Sequence, residues 1–308
     1  MRKRFFNTAV VIVAAIIAAF FISNICLAKS IQPVAGKKKI AIFTLLPHPS
    51  LDEAQAAFIS EMRKMGYKEG LNTIYLLRNM HGQISMAAGI ANELSAQNPD
   101  IIVALTTPPT QAVAKTARCP IVFVSVVDPI GIGVVKTLKG EEKVTGVRFD
   151  WAYDSQFKLI KEIMPKARKI GVIHNPGDAA SKYNVARMKE IAGKYNFEII
   201  DGIVNNTNEV YPVTQSIAKR VDVIFSSDNT AISAAPAVVK AGIENKVPVF
   251  SGEKGFVEKG AIGAVSVDFK EMGIEAAKLA DRVLRGEKNI PVTAVKAKDL
   301  YLNSKAAE

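Results

Sequence analysis

Hydroxyl and carboxyl side chains follow predicted strands in two distant parts of the sequence, and they suit opposite charges. Thr106, Thr107 and Ser125 offer hydroxyl donors, and a helix predicted after Thr107 presents free backbone N–H groups, so this set suits a carboxylate. Asp228 and Glu253 offer carboxylates that suit an ammonium group. Together the two sets describe a site for an amino-acid zwitterion. The alternative for the threonines and for Asp228 is helix capping alone, since these are common N-cap residues.

The elements that position these residues follow one order that occurs twice. Apolar strands alternate with amphipathic helices, and the two copies begin at Lys39–Leu45 and Lys169–Ile173. Alternation of strands with helices indicates parallel sheets with helices on both faces. We therefore predict an α/β fold with two similar doubly wound parallel-sheet domains joined by a crossover hinge.

The repeat also predicts the domain boundaries. Residues 38–147 form an N-terminal domain, and residues 148–268 form a C-terminal domain. A helix predicted after the second copy is expected to return to the first domain, which adds residues 269–288 to it. The segment 289–308 is not assigned to either domain.

Two helix starts in the first domain carry local sequence signals. Ser50 and Glu53 have the spacing of a capping box, which predicts that a helix begins there. Thr107 followed by Pro108 predicts a second helix, with Thr107 as N-cap and the proline at the first position.

Ligands of open α/β sheets bind beyond the carboxyl ends of the strands. Two such domains that face each other bring both sets of strand-end loops to one cleft. The residues that we expect to bind the ligand there are His48, Pro49, Thr106, Thr107, Ser125, Asp128, Asn175, Asp228, Asn229 and Glu253.

The N-terminus has the layout of a secretory signal peptide. Basic residues 2–4 precede an apolar run at 9–22, which is shorter than the about 20 residues that a membrane span needs. A small-residue cleavage site predicts that residues 1–28 form the signal peptide. Lipid attachment at Cys26 is less expected, because the bulky Ile25 precedes it. Export to the periplasm or another extracytoplasmic space is the resulting prediction, with an uncleaved anchor as the alternative.

Composition excludes several classes of protein. The chain of 308 residues is 49% hydrophobic and 22% charged, which is typical of a folded globular chain and long enough for two domains. The formal net charge is +11, but the basic residues are scattered, and nucleic-acid binding is not expected. Two cysteines exclude a disulfide scaffold.

No catalytic motif is complete. Gly131-Ile132-Gly133 begins like a dinucleotide loop, yet Lys136 stands where the third glycine belongs. The sequence has neither a Walker lysine motif nor a G-x-S-x-G elbow. We expect no enzyme activity and no cofactor.

Several ordered motifs resemble one known family. They extend from about Lys38 to Tyr301 and include HPSLDEA, GYKEGLN, NPDIIVALTTPPTQA, PIVFVSVVDPIGIGVVKTL, QFKLIKEIMPKARKIGVIHNPG, VDVIFSSDNT and GEKGFVEKGAIGAVSVDFKEMG. These segments resemble the ABC-transporter substrate-binding proteins of the tryptophan/tyrosine-transporter type, which have a type I periplasmic-binding-protein fold.

The resemblance implies an extracytoplasmic receptor that closes on a small solute and delivers it to a membrane permease. We expect the receptor to be a monomer. Characterised relatives bind aromatic or other hydrophobic amino acids, so an amino acid or a related carboxylate is the expected ligand. By position, Thr107 and Ser125 would hold its carboxylate and Asp228 its ammonium group. The remaining cleft-lining positions are His48, Pro49, Asn175, Asn229 and Glu253.

Three points stay open at this stage. Trp151, just past the first crossover, either stacks on a ligand or packs the hinge. His48 and His174 occupy equivalent loops and could instead serve a zinc receptor. The same fold could also serve as the ligand-binding subunit of a sensory system.

Overall fold

The computed structural model describes residues 36–307, and six of its strands form sheet A. These strands are β1 (Lys38–Thr44), β2 (Thr73–Asn79), β3 (Ile101–Leu105), β4 (Ile121–Val126), β5 (Val144–Asp150) and β11 (Thr293–Lys296). They lie in the order β11-β5-β4-β3-β1-β2, and every neighbouring pair is parallel.

Sheet B contains the other six strands of the described chain. They are β6 (Lys169–His174), β7 (Glu198–Ile203), β8 (Val223–Ser226), β9 (Val249–Ser251), β10 (Gly263–Ser266) and β12 (Asp299–Leu302). Their order is β12-β10-β9-β8-β6-β7. All pairs are parallel except that of β12 with β10, which is antiparallel.

Helices cover both sheets. They are α1 (Pro49–Lys64), α2 (Ala87–Ala96), α3 (Thr107–Thr116), α4 (Tyr153–Ile163), α5 (Ala179–Ala192), α6 (Val210–Ala218), α7 (Asn229–Ser233), α8 (Ala235–Asn245), α9 (Lys254–Glu258), α10 (Phe269–Leu284) and α11 (Ser304–Ala307). Sheet A with α1, α2, α3 and α10 is called the first lobe, and sheet B with α4 to α9 is called the second lobe.

Strand β1 shows why sheet A needs helices on both faces. Residues 40–44 are all buried, which is expected of a central strand covered on both sides. Ala41 and Phe43 pack with Leu94 of α2 and Val113 of α3. Because successive side chains alternate between faces, Ile40 and its partners belong to the opposite face, where α10 packs against α1 and β4.

Helices α1 and α10 approach each other closely at Gly273. A Cβ atom at this glycine would lie 2.1 Å from the carbonyl oxygen of Ala54. The absence of a side chain at Gly273 therefore allows the two backbones to touch, and this contact fixes α10 on the first lobe.

Both predicted helix starts are displaced by one or two residues. Helix α1 begins at Pro49, and the cap is His48, whose Nδ1 accepts from the backbone N–H of Leu51 at 3.3 Å. Ser50 does not form the predicted capping box. Helix α3 begins at Thr107, and the cap position belongs to Thr106, whose side chain makes no capping bond. The capping box fails because a contact with the second lobe, described below, takes the Ser50 side chain. Thr107 is not the cap because it is already the first residue inside α3.

The described chain crosses between the lobes at three places. Residues 151–152 lead from β5 to α4, residues 267–268 lead from β10 to α10, and residues 297–298 lead from β11 to β12. Ala152 lies in the left-handed region at φ 49°, where the chain turns sharply into α4.

The predicted fold class is confirmed: two similar α/β lobes, each with a mainly parallel six-stranded sheet. No helix between residues 36 and 307 has the length and apolarity that crossing a bilayer requires. The predicted signal peptide and the lipidation alternative at Cys26 lie outside the described residues.

Candidate functional site

Two threonine hydroxyls lie buried at the start of α3 without a hydrogen-bond partner in the described chain. They belong to Thr106 and Thr107, whose side chains are 3% and 1% exposed. Thr106 has φ 77° and donates its backbone N–H to Val124 O at 2.8 Å, so β4 holds the turn in place. Helix capping does not account for these hydroxyls. A buried hydroxyl without a partner is costly, and a bound ligand would supply the missing acceptor.

Ser125 and Asp128 follow at the neighbouring strand end. Ser125 is buried and has φ 58°, at the point where the pairing of β4 with β5 shifts register between Val124 and Val126. Asp128 is half-buried, and its Oδ1 accepts from the backbone N–H of Gly131 at 2.9 Å. Asp128 therefore stabilises a turn, while the bulge sets the direction of Ser125.

His48 and Pro49 occupy the loop between β1 and α1. His48 is buried, its ring lies 6.3 Å from that of Phe269, and burial lowers its pKa to about 4. The neutral ring accepts from Ser50 N at 3.2 Å, which explains its role as a cap. Pro49 is exposed in the first turn of α1.

Asp228 joins two strand ends in the second lobe. Its Oδ1 accepts from Thr230 N at 2.8 Å, so it caps α7. Its Oδ2 accepts from Asn175 N at 3.1 Å, and the amide of Asn175 donates to Asn205 O at 3.1 Å. Burial raises the pKa of Asp228 despite these bonds. Asp228 is thus a helix cap, as the capping alternative predicted. Its carboxylate oxygens can still accept further donors.

Asp178 is a second buried carboxylate in the same lobe, and the sequence reasoning missed it. Its Oδ1 accepts from Ala180 N at 2.9 Å, and its Oδ2 accepts from the side-chain amide of Asn229 at 3.1 Å. Burial, followed by the negative charge of Asp228, raises the pKa of Asp178 to about 6. An aspartate directly before a helix was the available signal, but it indicated capping only. Two buried carboxylates favour a cationic ligand group nearby.

Side chains of the two lobes touch beside these loops. The Ser50 hydroxyl donates to Oε1 of Glu253, and Lys254 Nζ lies 3.0 Å from Oε2 of Glu53. A third bond joins Ser233 Oγ to the carbonyl of Pro47 at 3.0 Å. The two lobes are therefore closed against each other.

The wall near the first crossing is aromatic. Trp151 packs edge-on against Phe149, with ring centroids 4.8 Å apart, and only glycine fits at position 252 beside it. Val127, Tyr183 and Asn184 line a neighbouring cavity of about 10 Å³, which suits a single water. The carboxamide oxygen of Asn184 is buried and has no partner in the described chain. Of the two interpretations of Trp151, packing at the crossing is the contact observed.

The histidines of the zinc alternative lie in separate local contacts. His174 Nδ1 lies 3.3 Å from Ser181 Oγ, and its buried Nε2, which lies 3.3 Å from Oδ1 of Asp201, makes no hydrogen bond within the described chain. His48 uses Nδ1 as a cap. Among the residues that the structure describes, no three His, Cys, Asp or Glu side chains form a metal-binding group. The geometry gives the zinc alternative no support.

The structure thus brings the predicted residues to facing loops of the two lobes and gives them different local roles. Some have uncommitted polar atoms, and others stabilise loops or join the lobes. The buried groups are His48, Thr106, Thr107, Ser125, Asn175, Asp228 and Glu253, the half-buried ones are Asp128 and Asn229, and Pro49 is exposed.

Comparison with known proteins identifies relatives over nearly the whole described chain. The sequence profile of the family described as ABC transporter substrate binding protein matches residues 39–308. The tyrosine-binding protein of Clostridioides difficile (strain R20291) is 34% identical over 272 residues, which cover 87% of this chain and 79% of that protein. The resemblance seen in the sequence motifs is confirmed.

Two solved structures of relatives clarify the arrangement of the lobes. One, from Streptococcus pneumonia, is a complex with L-Trp; it is 29% identical, with a TM-score of 0.84 over 88% of this chain and 94% of that one. The other is the ligand-free, open structure of a substrate-binding protein from Clostridium difficile; it is 32% identical, with a TM-score of 0.63 over 87% and 93%. The more identical relative fits less well, which agrees with a closed arrangement of the lobes here.

Proposed function

The chain belongs to the family of ABC transporter substrate-binding proteins, and from that premise we propose that its ligand is the zwitterion of an aromatic amino acid. The chain is a solute receptor rather than an enzyme. The proposal concerns which solute the receptor recognises and which residues hold it.

The observation that carries this proposal is the separation of polar groups between the lobes. The first lobe offers the hydroxyls of Thr106 and Thr107, at the N-terminus of the ten-residue α3, which have no hydrogen-bond partner among residues 36–307. Hydroxyl donors and free backbone N–H groups at a helix N-terminus bind a carboxylate, helped by the helix dipole. Ser125 lies at the adjacent strand end and would add a third hydroxyl.

The second lobe offers buried negative charge. Asp228 and Asp178 lie in one hydrogen-bonded group of loops, and neither carboxylate forms an ion pair within the described residues. An α-ammonium group would supply donors and the opposite charge to both. Asn175 and Asn229 would act by positioning these carboxylates.

Relatives and the cleft wall support an aromatic side chain. One relative is named a tyrosine-binding protein, and another was solved with L-Trp. Here Phe149, Trp151 and Tyr153 are buried at the crossing and line one small cavity beside Val127. An aromatic ligand would need this cavity to widen, and its ring would then pack against them.

In the proposed mechanism, a ligand held by one lobe attracts the other lobe, and the closed arrangement gains population because only it satisfies both charged ends. The closed monomer would deliver the solute to an ABC permease outside the cytoplasm. The lobes would be the two domains, with the segment 289–308 shared between them, because β11 joins sheet A and β12 joins sheet B.

Calorimetric titration tests the proposal with matched ligands. L-tyrosine and L-tryptophan should bind. Tyramine, which lacks the carboxylate, leaves the Thr106 and Thr107 hydroxyls without their acceptor, and 3-(4-hydroxyphenyl)propionate, which lacks the ammonium group, leaves the buried carboxylates without a cation. Each analogue should bind at least about 100-fold more weakly.

Two results would contradict the proposal. Equal binding of either analogue would remove one charged end from the recognition scheme. Binding of L-leucine but of neither aromatic amino acid would replace the aromatic class by an aliphatic one.

A further inference from the structure

A buried hydrogen bond joins the lobes between Ser50 and Glu253. Ser50 lies in the first turn of α1 and Glu253 directly before α9, and both are almost completely buried. The Ser50 hydroxyl donates to Oε1 of Glu253. Gly255 lies close to the other carboxyl oxygen, because a Cβ added at Gly255 would lie 2.9 Å from Oε2. The Glu253 carboxyl is therefore enclosed by both lobes.

Among residues 36–307 no cation forms an ion pair with this buried carboxyl, although the charge of the adjacent Lys254 lowers its pKa. The charged groups that act on it are Lys254 and Glu258 from its own helix and Glu53 from α1. Lys254 directs its ammonium group to Glu53, with Nζ 3.0 Å from Oε2. His48, at the start of α1, is neutral above its lowered pKa of about 4. Burial therefore dominates and raises the pKa of Glu253 to about 7 in the closed arrangement.

We propose that Ser50 and Glu253 form a protonation-sensitive latch, in which closing of the lobes takes up a proton on the Glu253 carboxyl. Separation of the lobes removes Ser50 and lets water reach the carboxyl, which then ionises at its ordinary pKa of 4.5. Closing thus transfers one proton from solvent to Glu253, and opening returns it. Only the choice of probe ligand rests on the proposed function.

The pKa of Glu253 is about 7 in the closed form and 4.5 in the open form, and this difference sets the direction of the pH dependence. The closed form has the higher pKa, so closing is favoured at low pH and loses this advantage as pH rises through about 7. From pH 6 to pH 8 the latch should lower ligand affinity by about tenfold, after which the effect levels off. At pH 6 closing should take up about 0.9 of a proton at Glu253.

Asp178 and Asp228 also titrate in the cleft, so variants are needed to separate the proton uptake at Glu253 from the total. Glu253→Gln retains an acceptor for Ser50 and removes the ionisation. Glu53→Gln is the matched control, because Glu53 also faces Lys254 across the lobes but its side chain is 35% exposed.

The experiment is titration calorimetry with L-tyrosine, and with L-tryptophan, in two buffers of different ionisation heat at pH 6 and at pH 8. Wild type should take up about 0.9 of a proton more than Glu253→Gln at pH 6, and Glu53→Gln should retain most of this extra uptake, because its Glu253 can still titrate. The affinity of wild type should fall about tenfold from pH 6 to pH 8, whereas that of Glu253→Gln should not show this fall. Equal proton uptake in wild type and Glu253→Gln would overturn the latch.

A second variant keeps the test independent of folding defects in the first. Ser50→Ala leaves the Glu253 carboxyl without its partner, so affinity should fall at pH 8 and the pH dependence should steepen. If Ser50→Ala behaves as wild type, the latch is wrong.

Failure of the latch and failure of the proposed ligand class give different results. If neither amino acid binds, the proposed ligand class fails, and small-angle scattering of the ligand-free chain decides on the latch. Wild type should then have a larger radius of gyration at pH 8 than at pH 6, and Glu253→Gln should not. An unchanged wild-type radius would overturn the latch.

Discussion

The side-chain amide of Asn229 donates a hydrogen bond of 3.1 Å to Oδ2 of Asp178, which connects the residue after Asp228 to the cap of α5. Through this bond and the backbone of Asn175, two carboxylates are held in one buried group of loops. Burial raises the pKa of both carboxyls, and the charge of Asp228 raises that of Asp178 further. This is the physical reason to expect both a cationic ligand and a pH-dependent ligand-free state.

Asp178→Asn should stabilise the ligand-free chain at pH 8. The pKa of Asp178 in the folded chain is raised to about 6 from 3.8, so its contribution to stability is present below 3.8 and is lost as pH rises through about 6. Asparagine removes the buried charge and still caps α5. Urea unfolding should show a gain of roughly 1–2 kcal/mol at pH 8 that shrinks at pH 4.

Asp222 provides a control of opposite sign. Backbone N–H groups of Arg168 and Lys169 lower its pKa, so its contribution is present above the unfolded pKa and lost as pH falls. Asp222→Asn should therefore destabilise the chain at pH 8. If both variants change stability in the same direction, the assigned charges are wrong.

Thr107→Ala should weaken amino-acid binding and leave folding nearly unchanged. The hydroxyl is buried and has no partner in the described chain, so its loss removes a ligand contact and no structural bond. A fall in affinity of about 10-fold is expected from one hydrogen bond to a charged group, and Thr107→Ser should restore most of it. Titration calorimetry measures the affinity, and a thermal melt checks the fold.

Thr110 offers a matched control for this variant. Its hydroxyl donates to the carbonyl of Thr106 at 2.6 Å within α3. Thr110→Ala should therefore lower stability more than Thr107→Ala. Equal affinities of Thr107→Ala and wild type for L-tyrosine would remove Thr107 from the site.

Gly273→Ala should destabilise the first lobe. The added Cβ would lie 2.1 Å from the carbonyl oxygen of Ala54, so α10 must move away from α1, at a cost of about 1–3 kcal/mol. Gly89→Ala is the control, because Gly89 lies within α2 and a Cβ there meets no atom within 4 Å. That variant should gain about 0.5–1 kcal/mol through helix propensity, as urea unfolding can measure.

Trp151 should report closing of the lobes through its fluorescence. It is the single tryptophan of the chain, it is buried, and it packs beside Gly252 of the second lobe. L-tyrosine should shift its emission to shorter wavelength as the lobes close, because the indole then loses contact with water. Gly252→Ala, whose Cβ would lie 2.5 Å from the indole, should shift the ligand-free emission. No shift with saturating L-tyrosine would mean that Trp151 does not sense closing.

The sequence was sufficient to predict the repeated order of strands and helices, because buried parallel strands leave short apolar runs that need no knowledge of tertiary contacts. The sequence could not predict the contacts between the lobes. Ser50 and Glu253 are 203 positions apart, and the capping-box spacing of Ser50 pointed to a local partner instead. Asp178 and Asn184 were missed for a related reason: one looks like an ordinary cap and the other like a helix-surface amide.

The three crossings limit how this receptor can move. The lobes are connected at residues 151–152, 267–268 and 297–298. Three connections favour rotation of one lobe against the other about one axis and resist twisting. Every solute that enters would therefore meet the same closing trajectory. Discrimination between solutes would then depend on whether the bound solute allows the lobes to close fully, rather than on a change within either lobe.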